Sequence, residues 1–133
     1  QKAGRSEELD ALAAYVHSLN ALPASPYSSN PVGEEQFYAL GCAECHPAPL
    51  YTDSNLVAPI RHDIGTLSEA SGNRLGAELE GLDTPTLLGL YRSFPYLHDG
   101  SATTIQEAII SHQGYESLSD EQLLSIEEFL LSL

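Results

Sequence analysis

The pentapeptide Cys42-Ala43-Glu44-Cys45-His46 contains both cysteines of this 133-residue chain, and no other segment constrains its fold as strongly. Two thiols three residues apart on one turn can each bond one of the two vinyl groups of a haem, and the histidine that follows can bind the iron. The segment therefore predicts one covalently bound haem c, attached through Cys42 and Cys45, with His46 as the proximal iron ligand. A buried haem would then be part of the hydrophobic core.

Other uses of a Cys-X-X-Cys pair fit this chain less well. A zinc site would need further ligands, and the chain has no third cysteine. A thioredoxin-like dithiol would need a strand-helix-strand pattern around the pair, and no such pattern surrounds it. Two buried structural cysteines beside a chance histidine remain as the simplest alternative.

Charge and hydropathy limit the partners of the chain. Nineteen acidic residues against five basic ones give a net charge of −14, which would repel nucleic acids and anionic membranes and attract a basic redox partner protein. Acidity that only keeps the protein in solution is an equally good interpretation. No apolar run is long enough to cross a bilayer. Because thioethers to haem form outside the cytoplasm, we expect a periplasmic or extracellular protein whose signal peptide has been removed.

The apolar pattern predicts a mostly helical chain. Ser6 can cap a first helix that runs to Leu19, and a linker rich in proline and serine follows over residues 20–32. A second helix is expected from Glu34 into the cysteine motif. Residues 47–83 have no sustained period and predict a long loop, for which a haem is the obvious object to enclose.

Three further helices are predicted in the C-terminal half. Thr84 and Pro85 resemble a cap and a first helical residue, Thr104 begins a capping box, and Ser119 begins another. The helix from Thr104 carries His112 on its apolar face, and the last helix is expected to bury an apolar stripe formed by Leu123, Ile126, Phe129, Leu130 and Leu133.

A second iron ligand has to be sought among the histidines, because the chain contains no methionine. His112 is the first candidate, since a histidine on an apolar helix face needs a partner. His98 lies in a turn beside Asp99, which could orient its ring, and a structural or propionate-binding role for it is at least as well supported as binding the iron. His62 and His17 are weaker candidates and are expected in a solvated loop and on the surface.

Several segments in combination resemble the C-terminal haem domain of the bacterial dihaem cytochrome c peroxidase and MauG superfamily. The resemblance covers about residues 31–133. It lies in Gly33-X-X-X-Phe37 ahead of the cysteine motif, in His62-Asp63-Ile64-Gly65-Thr66, in Asp83 to Leu90, in Pro95 to Ala102 and in Thr104 to Ile109.

The resemblance implies a mostly α, class I-like cytochrome c domain with long haem-wrapping loops. It places His112 where the family has its distal ligand, which implies a bis-histidine haem of lowered reduction potential. Family peroxidases need two haems, so electron transfer is expected rather than a self-sufficient peroxidase. A peroxidase or oxidase part with an open or displaceable distal site, and a building block of a multihaem assembly, are the alternatives.

Two further expectations concern the cofactor and the domain boundaries. Arg92 lies between two matching motifs and is our first choice for a propionate partner, ahead of Arg61 and Arg74, while the sequence gives calcium no support.

Residues 6–19 resemble residues 119–133 with one inserted residue. We therefore hypothesise that residues 1–30 are a helix and a proline-rich linker that end a preceding module, and that residues 31–133 form a monohaem domain. Chance similarity of two amphipathic helices is the alternative.

Overall fold

The structure, a computed structural model, describes Gly4, residues 6–19 and residues 23–133. Four α-helices account for most of the regular structure in these ranges, which confirms the prediction of a mostly helical chain. The α-helices are α1 (Glu7–Ser18), α2 (Pro31–Ala39), α3 (Ile105–Ile110) and α4 (Asp120–Ser132). Short 3₁₀ helices span Cys42–Glu44, Glu69–Ser71 and Leu90–Arg92, and strands β1 (Asn73–Arg74) and β2 (Ala77–Glu78) form an antiparallel hairpin.

The hydrophobic core lies where α2, α3 and α4 meet. Its buried members are Phe37, Ile105, Ile126, Phe129 and Leu130. The rings of Phe37 and Phe129 are 5.4 Å apart between centroids, an arrangement that favours aromatic contact. Four of the five residues predicted for the apolar stripe of α4 are buried, and the fifth, Leu133, is half-buried. Each fully buried side chain contributes about 1.5–3 kcal/mol.

A glycine sets the distance between α2 and α4. A Cβ atom on Gly33 would lie 1.8 Å from the backbone oxygen of Ser125, so any larger residue would force the two helices apart. Ser125 is itself buried, and its hydroxyl donates to the Glu121 carbonyl at 2.7 Å. Small residues on both helices thus allow the close crossing.

Helix α2 begins earlier and ends sooner than the sequence predicts. The Asn30 side chain accepts hydrogen bonds from the Val32 and Gly33 amides, and Pro31 stands at the first helical position. The helix ends at Ala39, and Gly41 has a left-handed backbone at φ 81°. The cysteine motif therefore begins in a 3₁₀ turn after α2. The expectation that α2 continues into the motif is wrong.

The two capping boxes in the C-terminal half are present as predicted. Thr104 and Glu107 cap α3, and Ser119 and Gln122 cap α4. Helix α3 is shorter than expected, because it ends at Ile110. His112 consequently lies in the turn after α3 and is not on its helical face.

The segment from Thr84 does not form the predicted helix. Its backbone groups bond across to the preceding loop, since the Thr84 carbonyl accepts from the Thr52 hydroxyl at 2.6 Å and the Leu87 amide donates to the Tyr51 carbonyl. These partners hold the segment extended, and only the 3₁₀ turn at Leu90–Arg92 follows. The long loop over residues 47–83 is irregular as expected, apart from the unpredicted β1–β2 hairpin.

The linker between α1 and α2 is held against the core. The Ser25 hydroxyl donates to the Leu131 carbonyl, the Asn30 amide donates to Glu128 at 2.7 Å, and the Tyr91 hydroxyl donates to the Pro23 carbonyl.

Helix α1 starts at its predicted cap, Ser6, and buries none of its residues. Within the described ranges, no helix combines the length and the apolar character that crossing a membrane requires.

We predict that Gly33→Ala destabilises the fold although alanine favours helix. The added methyl group meets the Ser125 carbonyl, so we expect a loss of about 1–3 kcal/mol in the free energy of unfolding. Chemical denaturation measures it, with Glu35→Ala on the exposed side of α2 as the control. Unchanged stability of the Gly33 variant would show that the helices do not cross as closely as described.

Candidate functional site

A cavity of ≈690 Å³ opens beside the cysteine motif. Its volume is within the range of about 300–1,000 Å³ that ligand pockets occupy, and its lining is mostly apolar with few polar groups. The motif contributes Cys42, Cys45 and His46, and the turn after α3 contributes His112. The structure therefore brings the predicted attachment residues and both predicted iron ligands to one cavity.

Tyr51 connects His46 to the hydrophobic core. The Tyr51 ring packs edge-on against Phe37 and Phe129 at centroid distances of 6.0 and 6.2 Å. Its backbone is left-handed at φ 51°, and its carbonyl accepts a hydrogen bond from His46 Nδ1 at 2.9 Å. With the proton on Nδ1, the other ring nitrogen, Nε2, is available to a metal.

Burial keeps His46 neutral. Desolvation is the largest effect and lowers the pKa of His46 below its usual value, and a positive charge on His112 lowers it further. Hydrogen bonding to the backbone at Tyr51 and Pro85 acts in the opposite direction. A neutral imidazole is the form that binds metal ions, so His46 is in the required state at neutral pH.

His112 is held in the same manner as His46. Its Nδ1 donates to the Ala108 carbonyl at 2.7 Å, one turn back in α3, and this bond leaves Nε2 available to a metal. His112 and His46 line the same cavity. The unexpected end of α3 thus does not remove His112 from the cavity.

The two cysteines carry protonated thiols. Burial raises the pKa of Cys42, and burial together with the negative charges of Asp53 and Glu44 raises the pKa of Cys45. Reactive dithiols depend on thiolates of low pKa, so this environment does not suit thioredoxin-type chemistry. It agrees with two thiols that serve for attachment.

A histidine and an aspartate form a close hydrogen-bonded pair that the sequence did not indicate. His62 Nε2 lies 2.7 Å from Asp53 Oδ2, and His62 Nδ1 lies 3.6 Å from the Cys45 sulfur. The nearby Thr84 hydroxyl lowers the pKa of Asp53 most, although the two side chains do not meet in hydrogen-bond geometry, and His62 lowers it further. Because both its nitrogens have partners, His62 is a poor candidate for the second iron ligand.

The remaining predicted residues lie at the edge of the cavity or outside it. His98 is exposed at the lining, and its Nε2 is 2.9 Å from the Ser71 hydroxyl. Asp99 accepts from the Ser101 amide. It does not bond to His98, so the expectation that Asp99 orients the His98 ring is wrong. Arg92 is exposed in its 3₁₀ turn and is not among the lining residues, and neither Arg61 nor Arg74 is. His17 is exposed on α1.

The chemistry of the lining fits a c-type haem. Two thiols and two imidazoles with available Nε2 atoms face an apolar space, which is the donor set that thioether attachment and axial ligation require. The hydroxyls of Thr66 and Thr84 also line the cavity, are buried, and have no hydrogen-bond partner among the described residues. Such hydroxyls suit a ligand with polar oxygens. Within the described ranges, the cavity included, no group of three or more His, Cys, Asp or Glu side chains is arranged to hold a metal ion by itself.

Comparison with known proteins gives a distant relative and a shared fold. No family model matches the chain. It is 27% identical to hydrazine synthase subunit gamma of Kuenenia stuttgartiensis over a 131-residue alignment that covers 71% of this chain and 37% of the relative. Its structure matches one chain of Kuenenia stuttgartiensis hydrazine synthase, solved under 20 bar xenon, with a TM-score of 0.73 at 24% identity.

That structural match covers 94% of this chain and 55% of the solved chain. At 24% identity it shows that the fold is shared. The chain thus spans only part of each protein that it matches, 37% of the relative and 55% of the solved chain. The chain is similar to a portion of hydrazine synthase subunit gamma and adopts a fold found in the hydrazine synthase structure.

Proposed function

We propose that this chain is a c-type cytochrome domain that transfers electrons through one covalently bound haem with His46 and His112 as axial ligands. The observation that carries the proposal is the matched arrangement of the two imidazoles. Each donates from Nδ1 to a backbone carbonyl, of Tyr51 or Ala108, and both line one apolar cavity next to the two cysteines.

The donor residues of the site have separate roles in this proposal. The haem, when bound, supplies a one-electron couple between ferric and ferrous iron. Cys42 and Cys45 attach it, and the Tyr51 carbonyl makes His46 a stronger ligand by accepting its Nδ1 proton. The hydroxyls of Thr66 and Thr84 are suited to polar groups of the ring. His98, at the exposed edge, keeps its predicted contact with the haem as part of the proposal.

The second imidazole determines both the potential and the reactivity. Histidine in the place of methionine lowers the reduction potential of a haem. With His46 and His112 both bound, peroxide has no position at the iron, so the domain passes electrons and does not itself reduce peroxide. From the resemblance to the peroxidase and MauG superfamily, the proposal takes only the role of a relay domain of the class I cytochrome c type.

The partners follow from charge and from the distant relative. A net charge of −14 favours a basic redox partner through long-range attraction. The relative is named as a subunit, which supports a place for this domain within a multisubunit redox enzyme.

The proposal also includes a location outside the cytoplasm, because covalent attachment of haem occurs there. Arg92 is the proposed propionate partner if that side chain turns toward the cavity.

We predict that His112→Ala converts the ferric haem from low-spin to high-spin. Removing the imidazole opens one axial position, so cyanide and hydrogen peroxide should bind or react where the unmodified protein does not. Optical spectroscopy measures both effects. His98→Ala is the matched control, because His98 lines the same cavity with Nε2 held by Ser71, and it should keep the low-spin spectrum.

The assignment of the distal ligand fails if the His112 variant keeps the spectrum of the unmodified protein. A high-spin spectrum with rapid peroxide reaction in the unmodified protein would instead favour the peroxidase or oxidase alternative. Circular dichroism of the His112 variant shows whether a changed spectrum comes from loss of the ligand or from misfolding.

We predict that the two cysteines contribute one thioether each. Cys42→Ser and Cys45→Ser should each retain haem on the denatured polypeptide through the remaining bond, and the double variant should lose it on denaturation. Intact-mass measurement after denaturation detects the attached haem. Retention by the double variant would rule out thioether attachment at these residues.

We predict that electron transfer to a small basic cytochrome slows as salt is added. The acidic surface attracts such a partner, and salt shortens the range of that attraction from about 30 Å at 0.01 M to about 8 Å at 0.15 M ionic strength. Stopped-flow absorbance should show a second-order rate constant that falls by about tenfold or more. An acidic redox protein serves as the control and should show the opposite trend.

A further inference from the structure

The Cys45 thiol has a histidine beside it, and that histidine has a carboxylate on its other side. His62 Nδ1 lies 3.6 Å from the Cys45 sulfur, and His62 Nε2 lies 2.7 Å from Asp53 Oδ2. A carboxylate only accepts hydrogen bonds, so in the neutral ring the proton lies on Nε2 and the lone pair of Nδ1 faces the sulfur. A histidine oriented in this way by a third group can take the proton of a thiol.

Backbone hydrogen bonds fix the positions of these three residues. The Asp53 amide donates to the Cys45 carbonyl at 3.1 Å, so the segments that carry the carboxylate and the thiol are fastened together. His62 forms an antiparallel bridge with Leu82, in which the two amide-to-carbonyl distances are 2.9 and 2.8 Å. The order of thiol, imidazole and carboxylate therefore does not depend on side-chain contacts alone.

The histidine is placed where proton transfer to and from Cys45 is possible. Cys45 and His62 both line the cavity, and the His62 side chain is 30% exposed, so its ring can exchange protons with water. The Cys45 thiol is protonated, because burial and the nearby carboxylates raise its pKa. A protonated thiol is a poor nucleophile, and an adjacent base is one means of activating it.

The other cysteine has no such neighbour. The side chain that acts on the Cys42 thiol is Tyr115, whose hydroxyl donates to the Leu40 carbonyl at 2.7 Å. Burial raises the pKa of Tyr115, so its hydroxyl is neutral and is a weak base. In the part of the chain that the structure describes, the histidine bonded to a cysteine is bonded to Cys45. The two thiols therefore differ in how they can react.

We propose that His62, oriented by Asp53, promotes formation of the thioether at Cys45, whereas the thioether at Cys42 forms without a base. This inference rests on the proposed attachment of haem c. In the reaction, the Cys45 S–H bond and the π bond of a vinyl group break, and one S–C and one C–H bond form. His62 Nδ1 takes the thiol proton, and the proton returns, directly or through water, to the second vinyl carbon. The addition consumes no oxidant and no reductant.

The test measures the attachment rate at each cysteine separately. Cys42→Ser leaves only the reaction of Cys45, and Cys45→Ser leaves only that of Cys42. Each 133-residue chain, free of haem and with its thiol reduced, is mixed with a saturating amount of ferrous haem under dithionite. Samples are denatured in acid at intervals, and intact-mass measurement gives the fraction that retains haem. The readout is bond formation and does not depend on electron transfer.

We expect His62→Gln to slow attachment at Cys45 by about tenfold or more, because a positioned base contributes about 10²–10⁴-fold to a reaction rate. Attachment at Cys42 should keep its rate, which also shows that the variant folds and binds haem. Asp53→Asn should slow the reaction at Cys45 in the same direction and by less. His17→Gln, the same substitution at an exposed histidine of α1, is the matched control and should change neither rate.

Three results would overturn the proposal. The first is an unchanged rate at Cys45 in the His62 variant. The second is equal slowing at Cys42 and Cys45, which would assign His62 to the fold or to haem binding. The third is a lack of attachment at Cys45 in the chain with His62 intact. The third result would leave the proposed function standing, because haem retained by the protein matured in cells tests the attachment itself.

Discussion

The close crossing of α2 and α4 is the contact on which the rest of the structure depends. Gly33 allows the helices to meet backbone to backbone, and the rings of Phe37 and Phe129 then come together in the core. Tyr51 packs its ring against these two and uses its carbonyl to hold His46. A contact between two helices thus fixes the orientation of the residue with the clearest chemical role.

The sequence predicts the helices whose apolar face meets a core or whose first turn is capped by side chains. Helix α4 and the capping boxes at Thr104 and Ser119 agree with expectation because these signals are local. The helix expected from Thr84 is wrong, since hydrogen bonds to Thr52 and Tyr51, more than 30 residues away, compete with helix formation. Sequence periodicity contains no information about such partners.

The site shows the same division between local and distant information. The spacing of Cys42, Cys45 and His46 is a local pattern, and the structure places all three at one cavity, as the motif requires. His112 is also there, although in a turn and not on a helix face. The contact of His62 with Asp53 was beyond prediction, because its members lie in an irregular loop without any period to relate them. Arg92 was chosen by its place between motifs, and it lies outside the lining.

The backbone hydrogen bonds of the two imidazoles have a consequence for the energy of the proposed electron transfer. A ring tied through Nδ1 to a carbonyl cannot turn without breaking that bond, and both carbonyls belong to backbone that packing fixes, at Tyr51 in the core and at Ala108 in α3. Groups fixed in advance need little rearrangement when a charge appears or disappears beside them. A metal centre between these rings would therefore change its oxidation state with a small reorganisation energy, which is what fast exchange of single electrons requires.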